Sequence, residues 1–270
     1  MIIGIDIGST ITKVVSIREN TVINRVKARA TDAVTSATGA FGKLILENDI
    51  DIKDIQKINI TGVGASRIRG NIFGIETRKV DEFSSIGIGA MFQVQRENIV
   101  IANIGTGTVL IYANKQKITH IGGSGVGGGT ILGLAKKLIQ TNTFNGIMDL
   151  AAGGDLSHVD LLLEDIMETE LSFLGRESTA ANFGKILDTA KNEDIALAIL
   201  NMVYQVIGML SVFAAQGKGS AGVVVTGSGS DNPIGKKTLD VISGMYGINF
   251  EFPAYAEYTT AIGAGLIETP

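Results

Sequence analysis

Three short apolar runs open the chain. Residues 2–7, 11–17 and 21–28 are rich in Ile and Val, and Gly8-Ser9-Thr10 and Glu19-Asn20 separate them. β-Branched runs bounded by turn residues predict strands, here the start of an antiparallel meander. The spacing then changes to that of a helix over residues 32–48, with Asp32 as its cap. A strand at 57–61, a turn at 62–66, a loop from Arg67 towards Arg78 and a short strand at 77–80 follow. From Asp81 to about Arg96, the residues Phe83, Ile86, Ala90 and Val94 fall on one helical face.

The alternation restarts at Asn98. Strands are predicted at 98–103, 109–113 and 117–121, with a polar turn at Asn114-Lys115, then a helix at 130–139. Residues 144–151 predict a helix, 159–166 a strand, and 179–187 the beginning of another helix. A long helix spans 193–216, with Asn192 as its cap and Gly217 or Gly219 to end it. A buried strand at 221–225, a glycine turn, a helix from near Pro233, a strand at 248–252 and a helix at 259–268 complete the chain. Meander, helices, meander, helices indicates an α/β fold with mixed sheets flanked by helices.

The two meanders begin alike. IIGIDIGSTITKVVSI and IVIANIGTGTVLIYA align Asp6 with Asn103, Gly8 with Gly105 and Ser9 with Thr106. Such a repeat implies two similar halves, divided near residue 97 into an N-terminal lobe of 1–97 and a C-terminal lobe of 98–270. Each half presents a strand–turn–strand loop, and two such loops facing each other would hold one nucleotide. The same turns also close ordinary hairpins. Six of the 35 glycines fall between Gly122 and Gly129. They read as backbone with positive φ or backbone that something approaches closely. A glycine loop running into a helix start offers backbone N–H groups suited to phosphate oxygens.

Composition narrows the partners. With 45% hydrophobic residues the chain can bury a sizeable core, and a net charge of -4 without a basic patch does not imply nucleic acid. The absence of cysteine excludes disulfides, thiolate zinc sites and cysteine-ligated iron–sulfur clusters, and fits a cytoplasmic location. The chain enters a strand at once, without a signal segment. Residues 195–217 carry no charge and are long enough to span a membrane. Asn201, Gln205, Gly208 and Ser211 recur along one side, however, so a buried amphipathic helix is expected and no membrane partner. By position alone, Lys13 is a solvated strand lysine and Glu82 a carboxylate favouring the helix dipole.

The segments GIDIGSTITK (4–13), VDEF (80–83), NIGTGT (103–108), GGSGVGGGTILGL (122–134), TAANFGK (179–185), VVVTGSGSDN (223–232) and AIGAG (261–265) together resemble the actin-like, ribonuclease H-like ATPases. More closely they resemble type II pantothenate kinases, nearly end to end. The resemblance implies a two-lobed fold binding ATP and Mg²⁺, pantothenate as substrate, and a homodimer, for which the long helix is a candidate contact. It places Asp6 towards Mg²⁺-bound phosphates. It assigns Gly8, Ser9, Thr10 and Lys13 to the first nucleotide loop, Gly105, Thr106 and Gly107 to the second, and Gly128, Gly129, Thr130, Ile131 and Leu132 to the helix start. Phe144 and Ser228 then lie near the adenosine, and Glu82 is the catalytic base. Thr108, His120, Arg176, Phe252 and Tyr255 are the implied acceptor contacts.

Three positions depart from the family. His120 stands where an arginine is usual, and Arg176 is a cation that could replace it. Gly8-Ser9-Thr10 replaces Gly-Gly-Thr, as in activator ATPases of acyl-CoA dehydratases, which need cysteines that this chain lacks. Ser84 replaces an aspartate. The alternatives are an actin-like kinase for another small molecule, such as an amino sugar, and an ATP-binding regulator that transfers nothing.

Overall fold

The computed structural model describes residues 1–167 and 175–267. The opening meander forms as expected: β1 (Ile2–Ile7), β2 (Ile11–Arg18) and β3 (Thr21–Arg29). Helix α1 (Ala33–Glu47) follows, and the Asp32 side chain accepts from the Thr35 N–H, satisfying one of the free amides at its start. Then come β4 (Lys57–Thr61), β5 (Thr77–Lys79) and α2 (Glu82–Val94). The first sheet has the order β3-β2-β1-β4-β5, with β1–β2 antiparallel and β1–β4 parallel.

The second half repeats this plan. It contains β6 (Ile99–Ile104), β7 (Thr108–Ala113), β8 (Ile118–Ser124), α3 (Gly128–Leu138) and α4 (Phe144–Ala151). Next are β9 (Leu161–Leu162), the single turn α5 (Leu163–Ile166), β10 (Thr179–Ala181) and α6 (Asn192–Gly217). The chain ends with β11 (Gly222–Thr226), α7 (Pro233–Tyr246), β12 (Asn249–Glu251) and α8 (Thr259–Leu266). The second sheet runs β12-β11-β6-β7-β8, so β6, β7, β8, β11 and β12 stand where β1, β2, β3, β4 and β5 stand in the first. The likeness read from two strands therefore extends across both sheets. It includes the turns after β4 and β11, where Gly62 and Gly227 have φ of 86° and 85°, values that non-glycine residues rarely adopt.

Each sheet is covered on both faces. In the first, Ile3, Ile5, Ile7, Val14, Ile58 and Ile60 pack on Ala37, Ala40, Phe41 and Leu44 of α1. Alternate residues face the other way, and there Val15 and Ile17 meet Ala261 and Ile262 of α8. In the second, Val100, Ala102, Ile104, Val223 and Val225 pack on Ile199, Leu200, Val203 and Ile207 of α6. Burying each such side chain contributes about 1.5–3 kcal/mol. Ile99, Ile101 and Ile111, on the opposite face, pack on Ile86 and Ala90 of α2. Helices α2 and α8 thus lie between the sheets, in contact with each other. They touch backbone to backbone: a Cβ at Gly89 would overlap the Thr259 carbonyl oxygen, and one at Gly263 the Ser85 carbonyl oxygen.

Two expectations are corrected. Residues 159–166 are not one strand, and 179–187 do not begin a helix. Instead β9 pairs with β10 antiparallel, and α5 follows β9 directly. The reason is Asp160, fully buried, which accepts from the Thr179 hydroxyl (3.1 Å), the Phe183 N–H (2.9 Å) and Asn201 Nδ2 (3.0 Å). Hydrogen bonds from side chain to backbone compete with regular helix, and this carboxylate draws both segments onto α6.

The same contacts explain the polar side of α6. Asn201 bonds Asp160, and Gln205 Oε1 accepts from Asn182 Nδ2 at 3.0 Å. At Gly208 a side chain would overlap Ile242 of α7. α6 has the length and hydropathy of a membrane span, but it is the core helix of the second half, with 61% of its most apolar window buried. Its cap is Lys191 rather than Asn192, and the Asp194 carboxylate accepts from the Lys191 N–H at 3.0 Å.

The α2–α8 crossing gives a stability prediction. Gly263→Ala should lower the free energy of unfolding by roughly 1–3 kcal/mol. Gly42→Ala, in α1 with nothing within 4 Å of the new methyl group, should raise it by up to roughly 1 kcal/mol. Urea unfolding of both variants checks the pair.

Candidate active site

A cleft of about 590 Å³ opens between the facing ends of the two sheets. Strand register sets one wall. Thr61 on β4, Asp6 on β1, Lys13 on β2 and Lys27 on β3 stand opposite one another in turn, so their side chains share a face. Lys13 is 6% exposed, a buried lysine rather than the solvated one its position suggested. Burial pushes the Asp6 carboxyl above its ordinary range, and the charge of Lys13 acts against that shift. The matching row of the second sheet is Thr226, Asn103, Val109 and Gly123, and it carries no charge. There the Thr226 hydroxyl donates to Asn103 Oδ1 at 3.0 Å.

The two repeat loops meet across the cleft. Ser9 Oγ and Thr106 Oγ1 lie 2.6 Å apart. Gly8, Ser9, Thr10, Gly105, Thr106 and Gly107 all line the cavity. Of the two readings of the glycine cluster, close approach holds and left-handed backbone does not. None of residues 122–129 has a left-handed φ, Gly127 being extended at 178°, and the amides of Gly128 and Gly129 are not free. They donate to the Gly105 and Thr106 carbonyls at 2.9 and 2.8 Å. What approaches closely is the chain itself: a Cβ at Gly129 would stand 2.7 Å from the Thr106 methyl group, and one at Gly127 2.8 Å from Gly107. The cluster nests the second loop against the start of α3.

Other expected residues distribute around this core. Gly128, Gly129, Ile131, Leu132, Phe144 and Ser228 line the cleft. Thr108 lines it too, and its hydroxyl donates to the Val126 carbonyl at 2.9 Å. Thr130 does not line it. Its hydroxyl instead accepts from the Gly127 N–H and donates to the Gly125 carbonyl, both at 3.2 Å. Sequence reasoning missed Lys27, Val63, Tyr204, Asp231 and Glu257, which all line the cavity. Lys27 was findable, because the hairpin register places it opposite Lys13; its ammonium bonds Glu257 at 2.9 Å. Tyr204 carried no such signal. It is buried on α6 and donates to the Gly229 carbonyl at 2.6 Å, and burial pushes its phenol up.

Glu82 is the first residue of α2, and the Asp81 side chain caps that helix by accepting from the Ser84 N–H at 2.7 Å. Glu82 lines the same cleft as Asp6. Its carboxyl is held above the ordinary glutamate range, first by burial and then by the charges of Asp6 and Asp81. The adjacent Phe83 stacks on His120, with ring centroids 4.6 Å apart and planes 2° from parallel. His120 therefore stands beside the start of α2 without lining the cavity. Arg176, Phe252 and Tyr255 are not brought to it either. Arg176 is exposed, Phe252 lies 5.4 Å from Lys236 Nζ, and Tyr255 lies 3.8 Å beneath the Arg25 guanidinium.

No group of three or more acidic or histidine side chains able to cage a metal occurs among the described residues. Four carboxylates line the cleft, those of Asp6, Glu82, Asp231 and Glu257, and Mg²⁺ binds through only one or two carboxylates plus waters and substrate phosphates.

Comparison with known proteins bears on this geometry. Residues 97–266 match the family described as Fumble. The chain is 32% identical to the type II pantothenate kinase of Bacillus anthracis over 237 residues, covering 84% of this chain and 82% of that one. It is 27% identical to the type II pantothenate kinase of Staphylococcus haemolyticus, covering 98% of both. Among solved structures it is similar to an activator of 2-hydroxyisocaproyl-CoA dehydratase from Clostridium difficile with bound ADPNP (TM-score 0.67, 18% identity, covering 98% of this chain and 92% of that one). It is also similar to a ROK family glucokinase from Streptomyces griseus in complex with glucose and AMPPNP (TM-score 0.60, 11% identity, covering 97% of both). The fold is thus that of the actin-like, ribonuclease H-like ATPases.

Tyr204→Phe leaves the Gly229 carbonyl without its donor and should cost about 1–2 kcal/mol of stability. Denaturant unfolding, with circular dichroism showing unchanged secondary structure, checks it.

Proposed function

We propose, from the premise that this chain belongs to the type II pantothenate kinase family, that it transfers the γ-phosphoryl group of ATP to the primary hydroxyl of pantothenate. The products are 4′-phosphopantothenate and ADP, and the reaction is the first step towards coenzyme A. The observation that carries the reading is that Glu82 and Asp6 face one cleft, close enough for the charge of Asp6 to raise the proton affinity of Glu82.

Phosphoryl transfer asks for positioning, charge neutralisation and a proton acceptor. The acceptor oxygen attacks the γ-phosphorus, its proton passes to the Glu82 carboxylate, and the bond to the β–γ bridging oxygen breaks to release ADP. A carboxylate whose proton affinity is raised by burial is suited to accept that proton. Lys13, buried one strand from Asp6, offsets the charge on the transferred group. Ser9 and Thr106 exchange their mutual hydrogen bond for bonds to phosphate oxygens. Ile131, Leu132, Phe144 and Ser228 receive the adenosine. Asp6 would hold Mg²⁺, which would supply charge neutralisation for the triphosphate. The two lobes are 1–97 and 98–270, with α8 returning to the first sheet. The working enzyme is a cytoplasmic homodimer, and the exposed Phe213 marks the side of α6 left for the contact.

The acceptor side contains Glu82, Thr108 and Val63, with the Phe83–His120 pair next to it. Arg176, Phe252 and Tyr255 stand outside the cleft and are given no role. A flat ring pair in place of a guanidinium fork favours a second reading, an uncharged or aminated sugar as acceptor. Incubation with labelled ATP, pantothenate and a panel of sugars decides. Label on pantothenate supports the proposal, label on a sugar alone supports the second reading, and hydrolysis without transfer supports a regulator.

Glu82→Gln should lower kcat by at least about 100-fold while ATP affinity, measured by calorimetry, is unchanged. Because the raised proton affinity of Glu82 keeps it protonated and idle to a higher pH than an ordinary glutamate (about 4.3), activity should fall on acidification above that value. Asp81→Asn keeps a good helix cap and removes one of the charges that raise Glu82. The acidic limb of the kcat/KM profile should move to lower pH in that variant.

A further inference from the structure

Thr61 is 1% exposed, and its hydroxyl has no hydrogen-bond partner among the described residues. It ends β4 directly opposite Asp6. Its counterpart in the second sheet is Thr226, which ends β11 opposite Asn103 and does have a partner, Asn103 Oδ1 at 3.0 Å. The surrounding backbone is the same in both places. A Cβ at Gly62 would stand 2.6 Å from Asp6 Oδ1, and one at Gly227 2.9 Å from Asn103 Oδ1. The same oxygen of the same strand position therefore faces the same Thr-Gly step in each half. Gly64 and Gly229, two residues further on, are each pressed against the matching isoleucine, Ile7 and Ile104.

Among the described residues, the other buried side-chain atoms without partners are Thr12 Oγ1, Asn59 Oδ1 and Gln93 Oε1. Thr12 stands opposite Ile7 and Ala28, with no ionisable neighbour in its row. Asn59 and Gln93 already donate through their amide nitrogens. Among the described residues, only Thr61 combines an idle hydroxyl, an adjacent charged group and a counterpart that makes the missing bond.

We propose that Thr61 is a positioning residue for the reaction: in the enzyme loaded with Mg²⁺ and ATP its hydroxyl donates to Asp6, as Thr226 donates to Asn103. An ionised carboxylate only accepts, through two oxygens. Fixing one of them from β4 sets the plane of the group and leaves the other directed into the cleft, the way an outer partner orients a metal-facing ligand. This inference rests on the kinase reading only for the identity of the reaction; Asp6 and Thr61 adjoin whatever the acceptor is.

The test is calorimetry of ATP binding with and without Mg²⁺, together with kinetics, for Thr61→Val, Thr61→Ser and the control Thr12→Val. Thr61→Val should bind ATP without Mg²⁺ like the parent enzyme, which also shows that it is folded. It should lose about 10-fold of the tightening that Mg²⁺ adds, with a lower kcat and an unchanged KM for pantothenate. Thr61→Ser, which keeps the hydroxyl, should restore both, and Thr12→Val should behave like the parent. Unchanged Mg²⁺-dependent binding in Thr61→Val, or a serine variant as impaired as the valine one, overturns the proposal. So does an equal loss in Thr12→Val. A parent enzyme that binds ATP with Mg²⁺ but does not phosphorylate pantothenate overturns the kinase reading, while the binding measurements still judge Thr61.

Discussion

The distance between the two sheets is set where α2 and α8 cross without side chains between them. Gly89 and Gly263 let each backbone rest on a carbonyl of the other helix, so the sheets approach as closely as two bare helices permit. The cleft inherits that spacing. Glu82 stands at the N-terminal end of α2, and Asp6 stands on the sheet face that α8 covers, where a Cβ at Gly4 would overlap the Ala261 carbonyl oxygen. The proton acceptor and the phosphate-facing carboxylate are therefore positioned by one contact that takes no part in the chemistry. Larger residues there would widen the separation between two groups that the reaction needs close together.

The two halves share a backbone and divide the labour. Asp6 and Lys13 are answered in the second sheet by Asn103 and Val109, so one strand row bears charge and its counterpart does not; the acidic residues that the second half brings to the cleft, Asp231 and Glu257, lie outside its sheet. Asp6 already lifts Glu82, and a carboxylate in place of Asn103 would add a further like charge to the same cavity.

Much of this was legible because it is local. The alternation of apolar residues marked both meanders, and Asp32 and Asp81 announced the helices that they cap. The match of Asp6-Ile7-Gly8-Ser9 with Asn103-Ile104-Gly105-Thr106 located both loops. What was not legible depends on partners distant in sequence. Asp160 looks like a surface residue until Thr179, Phe183 and Asn201 surround it, and its pull on both segments defeated the strand and helix predicted there. The amides of Gly128 and Gly129 looked available because nothing in their own stretch shows the Gly105 and Thr106 carbonyls that they meet. Burial misled in the same way at Lys13, where strand pattern gives no sign that α8 and the second half close over it.

The return of α8 to the first sheet also constrains how the protein is made. Gly4, Val15 and Ile17 wait for residues 259–266 to cover them, and the Asn59 amide finds the carbonyls of Ala264 and Ile267 at 2.8 and 3.1 Å. On the ribosome the first sheet can gain α1 early, but its other face stays bare until residues 259–266 have emerged. Order of synthesis and order of completion are thus decoupled: the first sheet is translated before the second and sealed after it. A nascent chain stalled short of α8 would display that apolar face to chaperones.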